Sequence, residues 1–160
     1  MLKKIWLHFK LITKHKWIVF NLCSRVGMPW RGLIHDLSKY SPSEFWESAK
    51  FYVGYKSPIQ VAREKREYSL AWLHHKGRNK HHMEYWIDYR QTGDKKMTGI
   101  KMPEKYVVEM FCDRIAGNNS GRIPEALKIP DPMLKTVKRK IMQVFRMADL
   151  LSVAARPAGI

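Results

Sequence analysis

Apolar residues recur at intervals of three or four along most of this chain and nowhere alternate with polar ones for long enough to specify a sheet, so it must fold from helices. Ile5, Phe9, Ile12, Val19, Leu22 and Val26 lay one stripe along a helix over residues 3–26, with lysines on the other side. Gly27, Pro29 and Gly32 break that helix, and Leu33 to Lys39 is expected as a short helical segment or tight helical turn. Ser41-Pro42-Ser43-Glu44 is a strong helix start. Ser41 can cap, Pro42 fits a position whose N–H has no helical partner, and Glu44 can close a capping box. Phe45, Ala49 and Tyr52 would form the inner face of that helix.

Ser57-Pro58 opens a helix predicted to run to about His75, with Val61, Tyr68, Ala71, Trp72 and His75 at helical spacing. Lys76 to Lys80 ends it. A further helix is expected from His81 or His82 through Tyr85, Trp86 and Tyr89, with Asn79 available as its cap, and Gly93 to Gly99 reads as a solvated connection. Met102-Pro103-Glu104 begins a helix that places Tyr106, Met110 and Asp113 on one face and stops near Gly117. A short helix at Pro124 to Leu127 follows, and Asp131-Pro132 starts a long last helix patterned by Leu134, Val137, Ile141, Val144, Phe145, Ala148 and Leu151. The expectation is a compact all-α bundle of about six or seven helices, one domain over residues 1–160.

Six Trp, seven Tyr and six Phe within a 45% hydrophobic composition exclude a disordered basic tail. The 30 Lys and Arg against 14 Asp and Glu give a net charge of +16, which favours anionic partners: a phosphate-containing small molecule, a nucleic acid or lipid headgroups. Cys23 and Cys112 are far apart in sequence and form neither a disulfide framework nor a CxxC knuckle, which suits a reducing compartment. The N-terminal stretch is interrupted by His8, Lys10, Lys14, His15 and Lys16 before any signal-like apolar core can form, and no window is long and apolar enough to span a bilayer. A cytoplasmic protein without stable membrane insertion is expected. The first or last helix could serve a dimer, although no pattern specifies one.

Chemistry concentrates in the histidines. His35-Asp36 lies within GLIHDLSKYS, His15 precedes it on the first helix, and His74-His75 and His81-His82 follow. Imidazole and carboxylate together suit Mn, Fe, Ni, Co or Zn. Asp113, on an otherwise apolar helix face beside Met110 and Cys112, is costly there unless it is paired, hydrogen-bonded or bound to metal. His15, His35, Asp36 and Asp113 form one candidate ligand set, and the later histidine pairs can complete a second position. Two ions would activate water and offset charge on a phosphoryl oxygen.

The ordered set resembles the HD-domain superfamily, all-α metal-dependent phosphohydrolases with an early His, an HD doublet, further histidines in some members and a late Asp. The resemblance implies His15 as the early His, His35-Asp36 as the doublet and Asp113 as the late Asp. HDLSK is similar to the HD-x-x-K form of the branch that hydrolyses cyclic dinucleotides, which implies Lys39 as the residue approaching phosphate. His75 then stands for the additional mid-chain His, and His81-His82-x-Glu84 is similar to that branch's HHE motif with one residue inserted; its DGxGYP sequence is missing here. The whole chain is closer to a small family of bacterial and phage proteins of unknown function, sharing HDLSKxSxxEF, AWxxHxxxNxHHxEYW and MPExxxxEMxxD with Ile34 to Phe45, Ala71 to Trp86 and Met102 to Asp113.

Each residue also has a plainer reading. His15 could be a packing histidine, and Asp36 could stabilise a turn through backbone N–H groups. Asp149, beside Arg146, rivals Asp113 for the late position or forms an ion pair. Of the adjacent pairs, His75 continues the Tyr68-Ala71 stripe better than His74, whereas either His81 or His82 can ligate. His8 reads as an outer-face histidine. Glu84 can orient an imidazole or sit in solvent, Arg78 and Lys80 can rim an anion site or form a charged loop, and Trp72, Tyr85 and Trp86 can stack on a base or fill the core. The expected function is metal-dependent hydrolysis of a nucleotide or small phosphoester, with one or two divalent ions on His15, His35, Asp36, His75, His81, His82 and Asp113, and with Lys39 and Asp36 as catalytic residues. Alternatives are a di-iron oxygenase on the same ligands and a basic nucleic-acid-binding module with structural histidines.

Overall fold

The structure, a computed structural model, describes residues 1–160 apart from 92, 94–95, 119–129 and 155–160. Among the described residues it is an all-α bundle of seven α-helices: α1 (Leu2–Arg25), α2 (Pro29–Ile34), α3 (Pro42–Lys50), α4 (Pro58–Arg66), α5 (Leu70–Arg78), α6 (Glu104–Asn118) and α7 (Asp131–Ala154). Single turns of 3-10 helix at Leu37–Tyr40 and Met83–Trp86 join them. The expected short helix at Pro124 to Leu127 lies outside the described residues.

Pro42 and Pro58 start helices as expected, in the first turn where a missing N–H costs nothing, and Pro29 does the same for α2 instead of only breaking α1, so the segment expected at Leu33 to Lys39 is split between the end of α2 and a 3-10 turn. The single helix expected from Ser57 to His75 is two. Glu67 adopts a left-handed conformation (φ 67°) that stops α4, and Ser69 restarts the chain by accepting the Trp72 N–H at 3.1 Å. Tyr68 falls in this break and is exposed rather than inward. The helix expected through Tyr89 also gives way: after one 3-10 turn the chain enters β1 (Ile87–Tyr89), which pairs antiparallel with β2 (Met97–Gly99) in the register Ile87 to Gly99. The Trp86 indole N–H donates to the Lys80 carbonyl at 2.7 Å, fixing the turn in place of a helical bond.

α1 packs against α2, α3 and α6, α3 against α5, and α6 against α7. The apolar core joins Ile18, Val19, Leu22 and Cys23 of α1 to Val108, Cys112 and Ala116 of α6 and Leu134 of α7. Cys23 and Cys112, remote in sequence, are thus both buried as free thiols in one cluster, and Cys112 hydrogen-bonding together with burial pushes the Cys23 thiol far up. α2 lies close on α1 because of Gly32, where a Cβ would sit 2.7 Å from the Phe20 Cα and 2.9 Å from the Cys23 Cβ. That close approach sets where His35, three residues on, meets α1. Among the described residues no helix is long and apolar enough to cross a membrane.

Candidate metal centre

The doublet sits on a sharp reversal. α2 ends at Ile34, His35 is extended (ψ 127°), and Asp36 takes a left-handed conformation (φ 52°, ψ 28°) before the 3-10 turn begins. Aspartate tolerates that region better than most residues, and the reversal turns both side chains into the bundle. The Lys16 ammonium holds the turn by donating to the carbonyls of Leu33 and His35. Although Asp36 occupies the cap position of the 3-10 turn, its side chain accepts no capping hydrogen bond. The reading of Asp36 as a backbone-bonded turn residue is therefore wrong; its carboxylate, 3% exposed, faces the cluster.

Two ligand sets converge there. His15, His35, Asp36 and Asp113 form one and Asp36, His75, His81 and His82 the other, the donor atoms of each lying within 4.8 Å of one another. The His15 Nε2 is 2.9 Å from Asp113 Oδ1, and His35 Nε2 is 3.2 Å from Asp36 Oδ2 and 3.4 Å from Asp113 Oδ1. On the other side, His75 Nε2 and His81 Nε2 each lie 3.4 Å from Asp36 Oδ1. Atoms about 2.1 Å from a common ion stand roughly 3.0–3.4 Å apart in octahedral or tetrahedral geometry, which these separations match. Asp36 offers one oxygen to each set.

Four of the donor atoms, His35 Nε2, His81 Nε2, His82 Nε2 and Asp36 Oδ1, are buried with no hydrogen-bond partner of good geometry. One such atom is costly in a folded protein, and four gathered across the two sets fit a divalent ion.

Carboxylates behind the histidines fix the ring orientation. Glu109 Oε1 lies 3.1 Å from His35 Nδ1 and 3.4 Å from His81 Nδ1, while Arg31 grips Oε2, with Nε at 2.8 Å. Glu44 Oε2 lies 2.8 Å from His75 Nδ1. An ionised carboxylate can only accept, so each of these Nδ1 atoms carries a proton, and each Nε2 can present a lone pair to the centre when its ring is neutral, which for His35 requires loss of its second proton. His35, His81 and Glu109 also lie close enough to form a third group, but the Glu109 contacts are to the Nδ1 atoms and serve orientation. Asn79 donates to the Ser38 hydroxyl at 2.7 Å and to the His75 carbonyl at 2.9 Å, tying the histidine turn to the doublet turn.

Electrostatics follow from crowding charge in a buried place. Burial opposes charge on His35, but Asp36 together with Asp113 and Glu109 overcomes it and raises the imidazole well above its ordinary range. Burial would raise Glu109, yet hydrogen bonds from His35, His81 and Arg31 hold it down at about 2. Asp113 is likewise depressed, with its bonds to His15 and His35 outweighing burial. Burial keeps His15 below its usual value and, with the neighbouring His81 and His75, takes His82 down to about 3, so both are neutral and ready to ligate. Lys39 Nζ is 2.6 Å from Asp36 Oδ2, which with Asp113 keeps it charged against burial.

Of the expected site residues, His15, His35, Asp36, His75, His81, His82, Asp113 and Lys39 are brought together. His74 turns away to Glu44, 2.7 Å from Oε1. Glu84 is exposed, and the orienting work falls to Glu109 and Glu44. Glu44 is buried against two imidazoles, so the capping box expected at Ser41 does not form. His8 is 3% exposed, not an outer-face residue. Trp72 packs its edge on His82, and the side chain of Asp149 lies outside the described residues. Glu109 had a signal in the sequence: it precedes Asp113 by four and shares its helix face.

Fold and site together define an all-α bundle whose clustered histidines and aspartates can chelate a divalent metal ion. The chain belongs to DUF5662, described as a family of unknown function, whose model matches residues 4–149. No curated protein and no solved structure matches it.

Proposed function

We propose that this protein is a metal-dependent phosphohydrolase acting on a nucleotide or another small phosphoester. The observation that carries the reading is Asp36, whose two carboxylate oxygens serve two histidine-rich ligand sets beside the Lys39 ammonium. His15, His35, Asp36 and Asp113 would hold one ion, and Asp36, His75, His81 and His82 a second. Mn, Fe, Ni, Co or Zn suits these nitrogen and oxygen donors. When bound, such ions supply Lewis acidity that lowers the pKa of water and offsets phosphoryl charge. The order of His15, His35-Asp36, the mid-chain histidines and Asp113 resembles HD-domain phosphohydrolases, which supports this reading over other metal chemistries.

The protein's own groups have separate tasks. Lys39 lines a cavity of about 430 Å³ that His15 and Glu44 also border, and its side chain is 26% exposed, so the ammonium can meet a phosphate oxygen arriving from that side. Asp36 fixes that ammonium while bridging the ligand sets. Glu109 and Glu44 hold the histidines in the ligating tautomer. In hydrolysis the water oxygen forms the new bond to phosphorus, the ester oxygen leaves with the bonding pair, and that oxygen takes up a proton.

The test is metal analysis of freshly purified, untagged protein beside a His35→Ala, Asp36→Ala double variant, followed by a phosphate-release screen over nucleotides and simple phosphoesters. About one or two equivalents of transition metal, absent from the variant and accompanied by phosphate release, support the reading. Substrate-dependent oxygen uptake without phosphate release would replace hydrolysis with di-iron oxidation. Salt-sensitive nucleic-acid binding that survives chelation, with no metal uptake, would remove the enzyme reading.

A further inference from the structure

α1 uses one of its faces in the bundle and leaves the other bare. Its buried residues, among them His8, Ile12, Val19, Leu22 and Cys23, form the stripe turned inward. At about 100° per residue, Trp6, Phe9, Thr13, Trp17 and Phe20 fall within about 80° of one another, on the far side of the helix from that stripe. This outer face is largely apolar and open, with Trp6 57%, Phe9 39% and Trp17 60% exposed. It continues onto α2, where Leu33 lines a groove with Trp17 and Phe20, and where Trp30, 73% exposed, stands three residues before Leu33 on the same side of that short helix. Lys3, Lys10 and Lys14, all exposed, run along one border of the strip. His15 is on the inward side, bonded to Asp113 of α6, so the strip and the metal centre use different faces of one helix.

A contiguous apolar strip in water marks an interaction surface, and the charge of the helix decides its partner. Residues 2–25 carry five lysines, one arginine and no acidic residue. A second copy laid on this face about a two-fold axis would therefore set lysine against lysine. A nucleic acid would meet the charge but would need free ring faces for its bases. Trp6 is already stacked on Phe9 at 5.9 Å, with Lys10 5.5 Å from its ring, and Trp17 on Phe20 at 5.8 Å, while Leu33 offers a base nothing to stack on. A bilayer containing acidic phospholipids takes all three groups: aliphatic side chains below the headgroups, tryptophans at their level and lysines against the phosphates. No described helix is long and apolar enough to cross, so the contact is one that lies in the plane of the interface.

We propose that the outer face of α1, extended by Trp30 and Leu33 of α2, docks this protein reversibly on membranes that contain acidic phospholipid. Trp6 and Trp17 sit at the boundary between headgroups and acyl chains, and Lys3, Lys10 and Lys14 meet lipid phosphates. With His15 on the other side of the same helix, the metal centre stands about one helix diameter, roughly 10 Å, from the lipid surface. The docking does not depend on the reaction proposed above, and it is tested without it.

The experiment sediments the full-length protein with phosphatidylcholine vesicles made with and without phosphatidylserine. Wild type is compared with a Lys3→Gln, Lys10→Gln, Lys14→Gln variant and a Trp6→Gln, Trp17→Gln variant. A control, Lys65→Gln, Lys76→Gln, Lys105→Gln, loses the same charge from other helices. Wild type binds the acidic vesicles alone and is released as salt rises. Removing the three α1 lysines lowers the partition coefficient by about a hundredfold and removing the two tryptophans by about tenfold or more, while the control changes it by less than about threefold. Melting temperature and metal content check that each variant is folded; should a multiple variant melt early, Lys10→Glu alone, at an exposed position, is expected to lose about tenfold or more. No binding to acidic vesicles overturns the proposal. Equal losses in the control and the α1 lysine variant, or full binding by the tryptophan variant, reduce the contact to the net charge of the chain and overturn it too. Self-association without lipid that the tryptophan variant abolishes assigns the face to a second copy, and tighter binding to single-stranded RNA through the same tryptophans assigns it to nucleic acid; either result replaces the membrane.

Discussion

α6 carries two adjacent stripes with opposite solutions to burial. Val108, Cys112 and Ala116 pack against Val19, Leu22 and Cys23 of α1, and nothing in that contact needs more than exclusion of water. One residue further round the helix, Glu109 and Asp113 face His15 and His35, where neighbouring donor atoms remain without hydrogen bonds. The apolar stripe stabilises the fold by being complete. The polar stripe leaves buried donor atoms that a metal ion could take up, so a change in the apolar stripe should act on stability alone and a change in the polar stripe on ligand binding as well.

The largest expected effect is at the residue common to both ligand sets. Asp36→Asn should reduce bound transition metal to below about a tenth of wild type by mass spectrometry, a loss greater than the 10–100-fold typical of residues behind the ligands. The metal-free melting temperature of this variant should fall as well, because Asn leaves the Lys39 ammonium and the His35 ring without the carboxylate that pairs with them, so the comparison is read from metal per folded molecule. Full metal content in the folded variant would break the comparison.

Next comes the apolar stripe. Leu22→Ala removes a fully buried side chain and should cost about 2–5 kcal/mol in denaturant unfolding, with metal per folded molecule unchanged. Glu109→Gln should weaken metal affinity about 10–100-fold in chelator competition, because the amide offers one acceptor oxygen and no charge where the carboxylate serves Arg31 with one oxygen and His35 and His81 with the other. Calorimetry in buffers of different ionisation enthalpy should also find about one proton released on metal binding near neutral pH, from His35, and metal affinity should fall as pH falls.

The smallest effect concerns His8. Its pKa is lowered from an ordinary 6.5 to about 4, first by burial and then by Lys39, so the unfolded chain takes up the proton before the folded one. Stability of the metal-free protein is therefore full above 6.5 and declines as pH falls toward 4. Melting curves across that range should be flatter for His8→Phe than for wild type.

Much of this is legible in the sequence. Proline and capping residues marked the starts of α3 and α4, and the order of His15, His35-Asp36, His75, His81-His82 and Asp113 named the convergent donors. The rest was hidden for identifiable reasons. Three-residue strands are too short to show alternation, so β1 and β2 read as the end of a helix and a loop. Glu44 carries two signals at once, since an acid at the third position after Ser41 looks like a cap until the tertiary fold brings His74 and His75 to it. On α1 the stripe through Ile5 and Ile12 could be completed by position 8 or 9; apolar character favoured Phe9, and packing chose His8.

Because Asp36 spans both ligand sets, loading the first ion would not leave the second position as it was. An ion held by His15, His35, Asp36 and Asp113 would displace the His35 proton and draw charge from the carboxylate that the second set shares. Were both sets filled, the two occupancies would be linked, and by thermodynamic reciprocity each ion would change the other's affinity by the same factor. Titrated with a single metal, the protein should give a curve that no pair of independent sites can fit.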